Sequence, residues 1–144
     1  MDLISFRAEH AVSIMAHGLQ LNEGHDWSAQ AGIMEKTGDC ITVMDVDVPV
    51  LAVGIVPIWD GCGEAWLLGS NEMSVRRPVT LARILYDTFY EWVEHKELWR
   101  VQANVRADWP LAIRFARFIG MEREGLMKKF GPEQADYFRY AWVA

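Results

Sequence analysis

Three carboxylates, Asp60, Glu64 and Glu72, lie along one turn-and-strand segment, and the pair Arg76-Arg77 follows four residues after the last of them. A carboxylate beside an amine can take its proton directly or through water, whereas neighbouring guanidiniums grip phosphate groups through charged forks. The chain as a whole is divided in the same sense. Residues 1–72 hold 11 acids and two bases (Arg7 and Lys36), a net of −9, and residues 73–144 hold 12 bases and nine acids, a net of +3. Such asymmetry marks either a site that handles opposite charges on its two sides or two plainly solvated surfaces.

Other reactive residue types form no pattern. His10, His17, His25 and His95 make no HExxH and no ligand spacing with Cys40 or Cys62, so no metal site is expected. No G-x-S-x-G occurs. The two cysteines form no CxxC and suggest no disulfide framework, which makes a reducing compartment the expectation.

These residues must be held by a fold, and 144 residues with 51% hydrophobic content are enough for one domain with a real core. Wholesale disorder is excluded on the same ground. A net charge of −6 argues against a general nucleic-acid binder. The longest apolar run, Val48 to Trp59, contains Pro49 and Pro57 and is too short to cross a bilayer. The start Met1-Asp2-Leu3-Ile4-Ser5-Phe6-Arg7 lacks the layout of a signal peptide.

The pattern along the chain predicts a short strand over Ile4–Arg7, a helix over Glu9–His17 and a second over Trp27–Lys36. A three-strand meander follows: Cys40–Met44, Val50–Trp59 and Glu64–Leu68, with turns at Asp45-Val46-Asp47 and Asp60-Gly61-Cys62-Gly63. Pro78–His95 is the clearest helix, with Leu81, Ile84, Leu85, Thr88, Phe89, Trp92 and Val93 on one face and Trp92 assigned to the core. Leu98–Val105 reads as a strand. Asp108 is the expected N-cap of a helix that runs through Ile119 and stops at Gly120. Gly125–Phe130 and Tyr137–Val143 close the chain as two strands. The crossover helix implies one parallel pair within an otherwise antiparallel sheet, an α/β layer with helices on both faces.

This order, together with the segment from Val105 through Trp109-Pro110-Leu111-Ala112 and Phe115 to Gly120-Met121, resembles the GNAT superfamily of acetyl-CoA-dependent N-acetyltransferases. That superfamily typically carries Asn-x-x-Ala here, a Tyr three positions after the Ala, and Gly-Phe five or six positions after the Tyr. Cys40-Ile41-Thr42-Val43, Trp66-Leu67-Leu68-Gly69-Ser70-Asn71-Glu72, Ile113-Arg114-Phe115 and Ile119-Gly120 are similar to a phage group within it, which includes the small internal virion protein of short-tailed phages.

The resemblance implies a single GNAT-like domain over residues 1–144, with a mixed central sheet and acetyl-CoA as cosubstrate. The family's phosphate loop, Gln/Arg-x-x-Gly-x-Gly/Ala, falls on Ser74-Val75-Arg76-Arg77-Pro78-Val79-Thr80-Leu81-Ala82-Arg83. Led by Arg76, it has Val79 and Leu81 for its glycines; led by Arg77, it has Thr80 and Ala82. Ser74, Val75, Arg76, Arg77, Val79 and Thr80 are thus the expected phosphate contacts, with Arg83 a further cation. Trp109 stands for the family's Asn and Phe115 for its acid-donating Tyr; Tyr86, Tyr90 and Tyr137 are the substitutes on offer. Glu72, Glu64 and Asp60 are candidate bases, and Ser70 and Asn71 candidate polar contacts. Two functions follow: an N-acetyltransferase acting on a primary amine of a small molecule or host protein, or a non-catalytic module that binds a virion or host protein. Either implies residence in the virion or the host cytoplasm, with no nucleic-acid or membrane partner.

Overall fold

The computed structural model describes residues 1–16, 28–70 and 77–144. Among these described residues, seven strands and four α-helices follow in the order β1 (Asp2–Ser5), α1 (Ala8–Ala16), α2 (Ser28–Lys36), β2 (Asp39–Asp45), β3 (Val48–Trp59), β4 (Cys62–Gly69), α3 (Pro78–His95), β5 (Arg100–Arg106), α4 (Pro110–Phe118), β6 (Glu122–Met127) and β7 (Tyr137–Val143). The strands pair in the order β1-β2-β3-β4-β5-β7-β6, with β4 and β5 parallel and the sheet otherwise antiparallel. This is the mixed α/β class expected from the element order.

The chain forms two compact units, one of Met1–Val56 with Ala65–Arg76 and one of Pro57–Glu64 with Arg77–Ala144. In the first, β3 carries six consecutive buried residues from Val50 to Ile55. A strand covered on both faces needs an unbroken apolar run rather than alternation. Its two prolines sit towards its ends, Pro49 beside a bulge opposite Val43 and Met44, and Pro57 among the exposed last three residues of the strand. The β2–β3 hairpin closes through Val46, whose φ of 59° is a left-handed conformation that a β-branched residue rarely adopts. Phe6, Ala11, Ile14, Ala31 and Ala52 make the core of this unit, with Met34, Cys40, Trp66 and Leu68 packed against it. Gly54 is required there, because a Cβ on it would lie 2.6 Å from the Trp66 indole.

In the second unit α3 buries Leu81, Leu85, Thr88 and Phe89, the i, i+4, i+7, i+8 stripe of an amphipathic helix. Phe89 and Tyr90 meet the Trp142 ring of β7 edge-on. The α4 helix buries Phe115 and Ala116 and ends before Gly120, whose φ of 102° suits a helix stop. Trp99 and Arg100 both donate their amides to the Gly61 carbonyl, which folds the α3–β5 connection onto the β3–β4 turn.

Several expectations are corrected. The first strand is Asp2–Ser5, because Phe6 leaves the sheet to enter the core. The N-cap of α4 is Trp109 and no side chain caps it; Asp108 instead accepts from Arg106 Nε at 2.6 Å, a charge-assisted bond stronger than a cap to a neutral amide. Strand β6 begins at Glu122 rather than Gly125 and ends at Met127. A register shift between Arg123 and Gly125 hides its alternation in the sequence. Trp92 is half-buried and outside the buried stripe of α3.

Candidate functional site

Strand β5 reads Arg-Val-Gln-Ala-Asn-Val-Arg, and alternation puts Arg100, Gln102, Asn104 and Arg106 on one face and the buried Val101 and Val105 on the other. Antiparallel register sets Arg139 of β7 opposite Asn104. Glu64, at the start of β4, meets this polar face. Its Oε1 accepts from Gln102 Nε2 at 3.3 Å and from Asn104 Nδ2 at 3.4 Å.

Each amide is turned by a guanidinium behind it. Arg139 Nε donates to Asn104 Oδ1 at 2.9 Å, and Arg100 Nε donates to Gln102 Oε1 at 3.2 Å. With its oxygen so occupied, each amide can only present N–H to Glu64. Two relays, Arg139–Asn104 and Arg100–Gln102, therefore converge on one oxygen of one carboxylate. The second oxygen, Oε2, has no partner among the described residues.

Arg100 is anchored from the far side. Its Nη1 and Nη2 donate to the two carboxylate oxygens of Glu124 at 2.9 and 2.6 Å. This fork holds the Glu124 carboxyl below the usual range, chiefly through the hydrogen bonds and further through the charges of Arg100 and Arg139, and raises the Arg100 guanidinium. The β6 bulge makes the contact, since Glu124 is the extra residue between Arg123, paired with Tyr140, and Gly125, paired with Arg139.

Of the residues singled out in the sequence, Glu64 thus lies in a built polar cluster. Gln102, Asn104, Arg139, Arg100 and Glu124 join it without having been singled out. The signal available was the strict polar–apolar alternation of β5, which shows a polar face but no partner for it. Asp60 lies in the β3–β4 turn. Ser70 is buried and spends its hydroxyl on the Val50 carbonyl at 2.9 Å. Asn71, Glu72, Ser74, Val75 and Arg76 lie outside the described residues.

At the start of α3, Arg77 is exposed and left-handed (φ 41°), Pro78 occupies the first turn, and Val79 and Thr80 are exposed. No acid stands in that first turn, so no side chain of the turn itself offsets the partial positive charge of the helix end, and Arg77 adds a full charge beside it. In the frame led by Arg76 the last loop position is Leu81, which is fully buried; in the frame led by Arg77 it is the half-buried Ala82. Trp109, at the N-cap of α4, holds a buried indole N–H with no acceptor among the described residues. An unpaired buried donor is costly, and it suits a position that receives an acceptor from a ligand. These features fit the phosphates and amide oxygens of a CoA-type molecule.

The thiol end of such a ligand fits less well. Phe115 is buried and offers no proton. Tyr90 donates its proton to the Ile119 carbonyl at 2.6 Å, and burial raises its phenol further. Tyr137 packs against Phe130, and burial raises it also. Tyr86 is exposed, its ring tilted against those of Tyr90 and Phe118. No group of His, Cys, Asp and Glu among the described residues is arranged to hold a metal ion, and no helix among them is long and apolar enough to cross a membrane.

No family model matches the sequence, and no curated protein matches it. Solved structures do. Ribosomal-protein-S5-alanine acetyltransferase from Vibrio fischeri superposes with a TM-score of 0.70 at 12% identity, over 98% of this chain and 91% of that one. Spermidine N-acetyltransferase SpeG from Vibrio cholerae gives a TM-score of 0.70 at 12% identity, over 99% and 95%. The ribosomal L7/L12 α-N-protein acetyltransferase RimL, solved with coenzyme A, gives 0.71 at 12% identity, over 94% and 85%. The chain has the GNAT fold.

Proposed function

We propose that this GNAT-fold chain is an acetyl-CoA-dependent N-acetyltransferase that acylates a primary amine, with Glu64 as the base. The observation that carries this reading is the Glu64 carboxylate, fixed through one oxygen by Gln102 and Asn104 and open at the other. An ammonium that reaches Oε2 meets a full negative charge and a proton acceptor whose orientation is already set. Acetyl-CoA binding is supported by the α3 N-terminus with Arg77, Val79 and Thr80, by the adjoining Ser74, Val75 and Arg76, and by the Trp109 indole. Asn71 and Glu72 are assigned by sequence position to the acceptor side. When bound, acetyl-CoA supplies the activated acyl group, and this chain's residues hold it, orient the amine and receive its proton.

The test is direct. Acetyl-CoA at millimolar concentration should raise the melting temperature and give binding heat, since a ligand of the native state stabilises it. Acetyl transfer to an amine panel should follow, and Glu64→Gln should lower the rate by about 10²–10⁴. Absence of both thermal shift and heat refutes the assignment.

One observation favours a second reading. With Phe115 buried where the family has its acid, a non-catalytic GNAT-fold module that binds a virion or host protein is supported as well. Co-purification of one defined partner, together with the absence of acetyl transfer, would select it. The segments Cys40–Val43, Trp66–Glu72, Ile113–Phe115 and Ile119-Gly120 support a phage-type protein under either reading, acting in the virion or the infected host's cytoplasm.

A further inference from the structure

We infer that the polar face at Glu64, Asn104 and Arg139 selects a zwitterionic amine, one whose skeleton carries a carboxylate or phosphate a few atoms from the amino group. This rests on the amine-acylating reading above and names its acceptor. Arg139 spends only Nε on Asn104; its two terminal nitrogens have no hydrogen-bond partner among the described residues. Glu124 is near enough for the Arg139 charge to lower its pKa, yet both its oxygens are engaged by Arg100. Arg106, on the same face of β5, is paired with Asp108. An open guanidinium fork and an open carboxylate oxygen therefore lie on one face, separated by the single amide of Asn104.

The arrangement discriminates on both charges. Glu64 Oε2 receives the ammonium, and the Arg139 fork receives the anion as a bidentate pair, an interaction a compact cation cannot make. A polyamine gains nothing at Arg139 and is repelled by it. A neutral-tailed monoamine leaves the fork unpaired. Because Asn104 hydrogen-bonds to both ends, the spacing between the two charges is set by one rigid group rather than by two free side chains.

The experiment compares acetyl transfer to O-phosphoethanolamine and L-glutamate with transfer to ethanolamine and spermidine. The expected result is a kcat/KM about tenfold or more higher for the zwitterions, the scale of one charge-assisted pair. The first two substrates distinguish phosphate from carboxylate as the preferred anion. Arg139→Gln should bring the zwitterion-to-ethanolamine ratio down to about one, with Arg139→Lys restoring part of it. Ethanolamine or spermidine matching the zwitterions in the wild-type protein overturns the inference, as does an unchanged ratio in a folded Arg139→Gln variant. Should no amine be acetylated, the proposed function fails separately. Calorimetric titration of the wild-type protein with O-phosphoethanolamine against ethanolamine then still decides the site: tighter zwitterion binding supports it, and equal or absent binding overturns it.

Discussion

The Tyr90 phenol donates a 2.6 Å hydrogen bond to the Ile119 carbonyl, joining α3 to the last residue before the Gly120 stop of α4. Tyr90→Phe deletes the donor and leaves a part-buried carbonyl unpaired, so a loss of about 1–2 kcal/mol is expected. Denaturant unfolding of the two proteins measures it. Since the folded phenol titrates above its unfolded value, this stability is complete below about pH 10 and declines as pH rises through the folded value. Acetyl transfer by the variant should keep the wild-type pH profile, because the proton is committed to Ile119.

Gly54→Ala should destabilise the first unit by about 1–3 kcal/mol, the usual range for forcing atoms into a packed core. The added Cβ falls 2.6 Å from the Trp66 ring, which is itself held edge-on against Phe6. In a double-mutant cycle, Trp66→Leu should remove much of the penalty, because the clash is with that ring. Additive losses would mean that something other than the ring resists the methyl.

The Arg100–Glu124 fork gives a pH signature of the opposite sign. The folded carboxyl is held below its unfolded value, so its contribution is present above the ordinary carboxylate range near pH 4 and is lost as pH falls through the folded value. Both side chains are partly exposed, at 27% and 42%, which keeps the contribution to about 1 kcal/mol or less. Glu124→Gln should flatten this part of the acid limb in a stability–pH series and weaken the dependence on salt.

The elements with one strong period were legible in the sequence: α3 spans Pro78–His95 and β7 spans Tyr137–Val143, as read from the residues. Asp108 was misread because a cap and an ion pair compete for the same carboxylate, and nothing local ranks Arg106 above the α4 amides. The start of β6 was illegible because a bulge breaks period two. Glu64 was visible as a carboxylate beside a strand, but its partners come from β5, 38 and 40 residues further on. Arg139 joins Asn104 from 35 residues away. Alternation tells which side chains share a face. Only strand register tells which of them touch.

The β6 bulge sets a rule for how this chain can vary in length. Glu124 is a single extra residue between two paired ones, and successive side chains on a strand point to opposite faces. Deleting it would make Arg123 and Gly125 consecutive, as their partners Tyr140 and Arg139 already are, so Arg123 would keep the Phe138 ring it covers at 3.7 Å while Arg100 would lose its anchor. The strand can therefore lose this one residue and keep its pairing with β7, whereas the grip on Arg100 cannot survive the loss: the extra length is spent on the site and not on the sheet.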